Sequence, residues 1–331
     1  MTNIYFVLFI ILALLYLYFS KKLIAKNIDK PHQKFATDFI PPLLGGYFLI
    51  LLILFDIQLS WMQKILFFSI FLLGTSSDFK IINSPNIRLI LQTSIVLFFI
   101  NLSNLSLQDT RIDFLDFLLK NFLFNLFFCT FCVIILINGS NFIDGLNGLV
   151  TGYYIIVFLI LHSIGISYEF VDNELLKFLI FVLTLLFILN LFNKIYLGDS
   201  GSYLIGFFTG TFLISIYSNN SYLSPFFIIL LIWYPCFENL FSLSRKFNSN
   251  VSPYKPDNFH LHQLILDKVL EKTGLQKNNA NNLTSFFILA YNFLIIFIAS
   301  FNYSNTKFQI FILFFNIFFY LTIYFFLKKK S

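Results

Sequence analysis

The chain has 331 residues, of which 58% are hydrophobic and 11% charged, with a net charge of +6 and a mean hydropathy of +0.81. Soluble globular proteins carry about 25% charged residues, so a soluble multi-domain enzyme is excluded, and the length leaves room for roughly ten spans of about 20 residues. The positive balance does not point to nucleic acid, because the basic residues sort by membrane side, as the loop-by-loop count shows.

The N-terminal stretch runs apolar from Ile4 to Phe19 and then meets Lys21 and Lys22. It lacks a basic leader and a small-residue cleavage site, so it reads as a first span and not as a signal peptide. Hydropathy then predicts spans near residues 39–55, 62–74, 88–102, 121–138, 150–166, 176–192, 203–217, 222–241, 284–301 and 308–327, following the first at 3–20. The predicted fold is an all-α integral membrane protein, a polytopic bundle of about 11 transmembrane helices with a cytoplasmic active-site cleft. Residues 1–331 form one membrane domain, and only the loop at 242–283 is long enough for structure of its own. Cys129, Cys132 and Cys236 lie in apolar runs. A zinc site needs four ligands and no second pair exists, so these cysteines are packing residues.

Orientation follows from the basic residues. With the N-terminus outside, 17 of the 22 Lys and Arg residues fall in cytoplasmic segments and 5 outside, the latter being Lys64, Arg111, Lys120, Lys177 and Lys307. The C-terminus is then cytoplasmic.

Four polar islands interrupt the greasy runs: Ser76-Ser77-Asp78, Asn141 to Gly145, Leu197 to Ser202, and Pro256 to His262. The same parity places all four in cytoplasmic loops, although the charge count made no use of them. Acids parked at the water boundary suit a metal or phosphate site. Each island also has a plainer reading. Asp199 and Ser200 suit the cap of a helix beginning near Tyr203, while Gly198 and Gly201 permit close backbone approach at a helix start that favours phosphate. Asp144 suits a turn, and Asp78 a solvated loop acid. In the last island Pro253 and Pro256 break any helix continuing from the ninth span. Asp257 is then a plausible cap for an amphipathic run carrying Leu261, Leu264, Ile265 and Leu266, which Gly274 stops. Two helical histidines at 260 and 262 would point about 200° apart, so they share a ligand only if that turn is extended. As loop donors to a diphosphate they make better sense.

With these islands in order, the chain resembles the polyprenyl-phosphate N-acetylhexosamine-1-phosphate transferases. The resemblance begins at Asp29-Lys30-Pro31-His32 and Pro41 to Gly46. It runs through Gly74 to Lys80 with Arg88 and Gln92, Asn141 to Leu149, and Leu197 to Ser202, and closes with Tyr234 to Glu238, Arg245-Lys246 and Pro256 to His262. The Pro-x-x-Glu and His-x-His pattern is closer to the GlcNAc-type branch than to the phospho-MurNAc-pentapeptide branch. The resemblance implies a bundle of ten or eleven spans in a bacterial cytoplasmic (inner) membrane. It implies transfer of an N-acetylhexosamine-1-phosphate from a UDP-sugar to undecaprenyl or another polyprenyl phosphate, with release of UMP, at the start of cell-envelope polysaccharide or O-antigen synthesis. It further implies Mg²⁺, or Mn²⁺ in its place, held by Asp199 and Asp144. Asp78 would position or deprotonate the lipid phosphate. Asn141 and Asp144 would serve the nucleotide and metal, and His260 and His262 the donor's phosphates or sugar. Lys80 and Arg88 are phosphate contacts on physical grounds. The implied partners are UDP-N-acetylhexosamine, polyprenyl phosphate and membrane lipid, with a homodimer left open.

This chain departs from the family's pattern at several points. Ser77 stands where the family usually has the first of paired acids, Asn147 replaces a frequent Asp, Gln263 a frequent His, and Leu43 a frequent Arg. Ser77 keeps open a catalytically silent scaffold as an alternative. A secondary transporter would want polar groups near mid-bilayer on broken helices, whereas here Glu238 is the acid inside a predicted span.

Overall fold

The computed structural model describes residues 41–55, 58–166, 173–249 and 259–329. The first predicted span, the Asp29 to His32 stretch, Pro253 and the Pro256-Asp257-Asn258 start of the last island lie outside the described residues. Those described form thirteen helices, plus one isolated parallel bridge between Leu43 and Tyr196.

Helix α1 (Gly45–Leu54) leads to α2 (Trp61–Asp78), whose start is fixed by a capping box. The Gln63 amide donates to Ser60 Oγ, and the Ser60 amide donates to Gln63 Oε1 at 2.9 Å. Helix α3 (Pro85–Leu102) opens on a proline at its first position, where the missing N–H costs nothing, behind an extended Ser84 cap. A short α4 (Asp113–Leu119) precedes α5 (Phe122–Ile143), capped by Asn121. Then follow α6 (Leu149–Ser163), α7 (Asn173–Leu191) and α8 (Gly198–Asn219).

Helix α8 is the axis of the molecule. Every residue from Gly198 to Tyr217 is buried, and α1, α2 and α5 pack around it. Contact at its start is close: a Cβ on Gly74 of α2 would meet Ser200 Cα at 2.4 Å. A side chain at 74 would therefore push two helix backbones apart.

The ninth predicted span, 222–241, is broken. Helix α9 (Pro225–Leu231) and α10 (Trp233–Asn248) meet at an 80° bend. Pro235 is the third residue of α10, where a proline lacks no intrahelical donor and cannot continue a preceding helix. The helix that continues from this span ends at Asn248, ahead of Pro253 and Pro256, which lie outside the described residues. The described part of the 242–283 segment is mostly helical: α10 runs on to Asn248, α11 spans Leu261–Thr273, and α12 (Lys277–Ser300) begins within it. Gly274, at φ +61°, ends α11 in the left-handed cap that glycine favours. Helix α13 (Thr306–Lys328) completes the bundle.

Six of these helices are long and apolar enough to cross a membrane, or seven if the bent α9–α10 pair counts as one, with shorter apolar helices at Gly45–Leu54 and Leu149–Ser163. The expected count of eleven is thus not reached among the described residues. Phe311, Phe314, Phe315 and Phe318 of α13 are exposed, as lipid-facing side chains of a multi-pass membrane protein are. Water would not tolerate an apolar face of that extent without a partner.

Candidate active site

Helix ends carry the polar islands, not loops between spans. Ser77 and Asp78 close α2, Asn141 lies in the last turn of α5 with Asp144 as its C-cap, and Asp199 sits in the first turn of α8. They meet around a cavity of about 740 Å³. Its polar end is lined by Ser77, Lys80, Arg88, Asn141, Asp144, Asp199, Lys246 and His260, and its apolar wall by Leu89, Phe127, Phe131, Ile134 and Ile135.

Asp199 is the hub. Its Oδ2 accepts the Ser77 hydroxyl at 2.5 Å, its Oδ1 accepts Asn141 Nδ2 at 2.9 Å, and Arg88 Nη1 lies 3.6 Å from Oδ2. Arg88 also donates to Ser77 Oγ at 2.5 Å. Ser77, where the sequence pattern lacks an acid, therefore relays the Arg88 guanidinium to the Asp199 carboxylate. Asn141 donates to Ser202 Oγ as well, at 3.2 Å, tying the end of α5 to the first turn of α8.

Asp78 takes a different place from the one expected of it. Its carboxylate is 2% exposed and accepts the Asp199 amide at 2.9 Å and the Ser200 amide at 3.0 Å. Asp78 is thus the N-terminal cap of α8, delivered from the end of α2, and it is not among the residues that line the cavity. This also corrects the reading of Asp199 and Ser200 as a cap: α8 starts earlier, at Gly198, and the capping oxygens come from another helix. Gly198 permits the geometry. It has φ +74°, and a Cβ there would stand 2.8 Å from Asp78 Oδ2.

The two histidines divide. His260 has extended backbone (φ −77°, ψ 146°) and precedes α11, while His262 is already helical. That turn places the rings nearly parallel, with centroids 5.6 Å apart. His260 lines the cavity and also packs against Phe142. Its Nδ1 is 2.9 Å from Glu238 Oε1. His262 is fully buried, with neither ring nitrogen hydrogen-bonded among the described residues, and it lies beneath Gly145, where a Cβ would stand 2.8 Å from its Nε2. Burial, aided by the neighbouring His260 and opposed by Glu238, holds its imidazole down to about 3. The enclosed ring supports the Asp144-Gly145 turn from below and, unlike His260, is not among the residues that line the cavity.

Lys80, in a left-handed turn just after α2 (φ +57°), lines the cavity. The other departures fall into place by packing. Asn147 is buried away from the cavity, its Nδ2 within 2.9 to 3.1 Å of the amide oxygens of Asn193, Asn278 and Asn282. A neutral donor there suits three carbonyl acceptors. Gln263 lines the cavity and its Oε1 accepts the His260 amide at 3.3 Å. Leu43 lies in the bridge to Tyr196.

The sequence reading had not assigned roles to Ser77, Lys246, Gln92 or Glu238. Lys246 is 6% exposed yet lines the cavity, and its signal in the sequence was the Arg245-Lys246 pair of the family resemblance. Among the described residues no group of three or more His, Cys, Asp or Glu side chains could by itself cage a metal ion. Asp144 and Asp199 share the cavity, however, and Mg²⁺ commonly takes only one or two carboxylates and completes its shell with phosphate and water. The donor set fits that kind of site.

Comparison with known proteins follows the same residues. The model of glycosyl transferase family 4 matches residues 60–217, the stretch holding Ser77, Asp78, Asn141, Asp144 and Asp199. A decaprenyl-phosphate N-acetylglucosaminephosphotransferase of Mycolicibacterium smegmatis is 31% identical over 153 residues, covering 40% of this chain and 38% of that protein. An undecaprenyl-phosphate alpha-N-acetylglucosaminyl 1-phosphate transferase of Escherichia coli O157:H7 is 26% identical over 272 residues, covering 76% and 73%. Its namesake in strain K12 is 29% identical over 153 residues, covering 43% and 41%. The matched stretch thus spans about two-fifths of the mycolicibacterial and K12 proteins and nearly three-quarters of the O157:H7 one. Motif order, the cavity they build and these matches together make residues 60–217 of the chain similar to glycosyl transferase family 4.

Proposed function

We propose that this protein is a phosphotransferase that moves an N-acetylhexosamine-1-phosphate from a UDP-sugar to polyprenyl phosphate and releases UMP. One observation carries this reading: a single cavity joins a cationic and carboxylate-lined end to an apolar wall running along α3 and α5. A diphosphate needs the first and a prenyl chain the second. Relatives named for transfer to decaprenyl or undecaprenyl phosphate support the same acceptor for this chain.

In this reading Arg88, Lys80 and Lys246 hold phosphate oxygens, since guanidinium and ammonium groups make the strongest neutralising hydrogen bonds to them. Phe127, Phe131 and Ile134 take the first isoprene units. An acceptor phosphate oxygen attacks the sugar-linked phosphorus of the donor, and the bond to the UMP oxygen breaks. A phosphate monoester has a second pKa of about 6, so the nucleophile is already ionised near neutral pH and needs orientation more than a base. That removes the need for a second acid at position 77 and for Asp78 as a proton acceptor. Asp199 and Asp144 would hold Mg²⁺, which when bound would neutralise the diphosphate and the departing UMP. Asn141 keeps the Asp199 carboxylate oriented. With the N-terminus outside, this cavity faces the cytoplasm of a bacterial inner membrane, where soluble UDP-sugars are made, and the product would begin an envelope polysaccharide.

The test is UMP release by purified protein in lipid, with Mg²⁺, polyprenyl phosphate and a panel of UDP-N-acetylhexosamines. Release should require both substrates and fall to background without the divalent cation. No release with any donor in the panel would overturn the reading in favour of a silent scaffold.

A further inference from the structure

Glu238 is 1% exposed, deep between α10 and α13. An isolated carboxylate there would cost several kcal/mol of desolvation, and three donors offset that cost. Oε1 faces His260 Nδ1 at 2.9 Å and accepts the Leu261 amide at 3.3 Å, while Oε2 accepts the Tyr320 hydroxyl at 2.7 Å. Two of these donors belong to the entry of α11 and the third to α13, so Glu238 connects the end of the bundle to the cavity's His260.

We propose that Glu238 is a positioning residue for phosphate transfer: oriented by Tyr320, it holds the His260 ring so that Nε2 is the nitrogen offered to the cavity. This rests on the reading of the cavity as a sugar-phosphate transfer site. An imidazole has two nitrogens on opposite edges of the ring, and the hydrogen bond at one decides which the other presents. With Nδ1 turned to Glu238 and the ring packed against both Phe142 and His262, rotation away from the carboxylate is what would offer the cavity a different atom. His262, stacked behind it, keeps that plane from tilting. The proposal assigns Glu238 no contact with substrate. It acts through His260.

That dependence is what a double-mutant cycle measures. Glu238→Gln should lower kcat by about 10- to 100-fold, the scale seen when an outer partner of a ligating histidine is removed, and leave KM for polyprenyl phosphate nearly unchanged. In a His260→Gln background the same change should cost less than about threefold, because there is no ring left to orient. Tyr320→Phe should show a smaller loss with the same non-additivity. Should Glu238→Gln fail to yield monodisperse protein, Glu238→Asp, which keeps the charge but withdraws it by one methylene, goes through the same cycle. Equal losses in both backgrounds would make Glu238 a purely structural tether and overturn the proposal, as would parental kcat in Glu238→Gln. A parent that releases no UMP overturns the proposed function and this inference together. An active parent with additive losses overturns the inference alone.

Discussion

Replacing Asp78 by Asn separates a cap from a catalytic acid. In the structure the carboxylate takes two backbone amides at the start of α8, at 2.9 and 3.0 Å, in a buried position. Asn has one oxygen, so one of the two amides would face an NH₂ group. The variant loses one charge-assisted hydrogen bond, worth about 1.5–3 kcal/mol, and a negative charge at a helix N-terminus, worth about 0.3–1 kcal/mol. The expected destabilisation is about 3 kcal/mol, and Asp78→Ala, which loses both bonds, should cost more. Asp199→Asn is the contrast. It keeps an oxygen for Asn141, and Ser77 is free to turn its hydroxyl, so its cost in stability should stay below about 1.5 kcal/mol. Unfolding in mixed micelles with rising denaturing detergent, followed by tryptophan fluorescence, measures both, and UMP release on the same samples measures activity. The folded fraction of Asp78→Asn should keep a rate within about tenfold of the parent, since losing a positioned acid–base group would cost 10² or more. If Asp78→Asn is as stable as the parent yet loses more than about 100-fold in rate, the cap argument is wrong and Asp78 acts on the substrate.

Other variants probe the rest of the site. Asp199→Asn should abolish Mg²⁺-dependent transfer while the protein stays folded and inserted; parental activity across a Mg²⁺ titration would remove Asp199 from the metal role. Ser77→Ala breaks the relay between Arg88 and Asp199 at its 2.5 Å contacts and should lower the rate, whereas Ser77→Asp adds a carboxylate beside Asp199 and should lower the half-saturating Mg²⁺; an unchanged metal dependence in Ser77→Asp would count against Asp199 as a ligand. His262 is held down to about 3 by burial, with His260 beside it and Glu238 opposing. The unfolded chain therefore takes up a proton below about 6.5 that the folded site refuses. Stability should fall as pH drops from there toward 3, by up to about 1.4 kcal/mol per pH unit from this group. His262→Leu should flatten that stretch of the stability curve, and an identical slope in both proteins would refute it.

Composition and hydropathy by themselves determined that this is a helical membrane protein, and where most of its long helices lie. The reason is physical: charge in the hydrocarbon core is costly, so charged and polar groups are driven to span ends and stand out there as islands. That Asp144, Asp199 and the His260 turn belong together was legible for the same reason, since parity of spans puts them on one side. Packing alone decided which acid does what. Asp78 and Asp199 look alike in the sequence, yet one is turned into the start of α8 and the other toward Arg88, because α2 meets α8 at Gly74 and Gly198 with no room for a side chain between. The bend at Ile232 and the partnership of Glu238 with His260 and Tyr320 likewise arise between helices far apart in the chain. Hydropathy averages over a window of neighbours and cannot see a hydrogen bond that closes across the bundle.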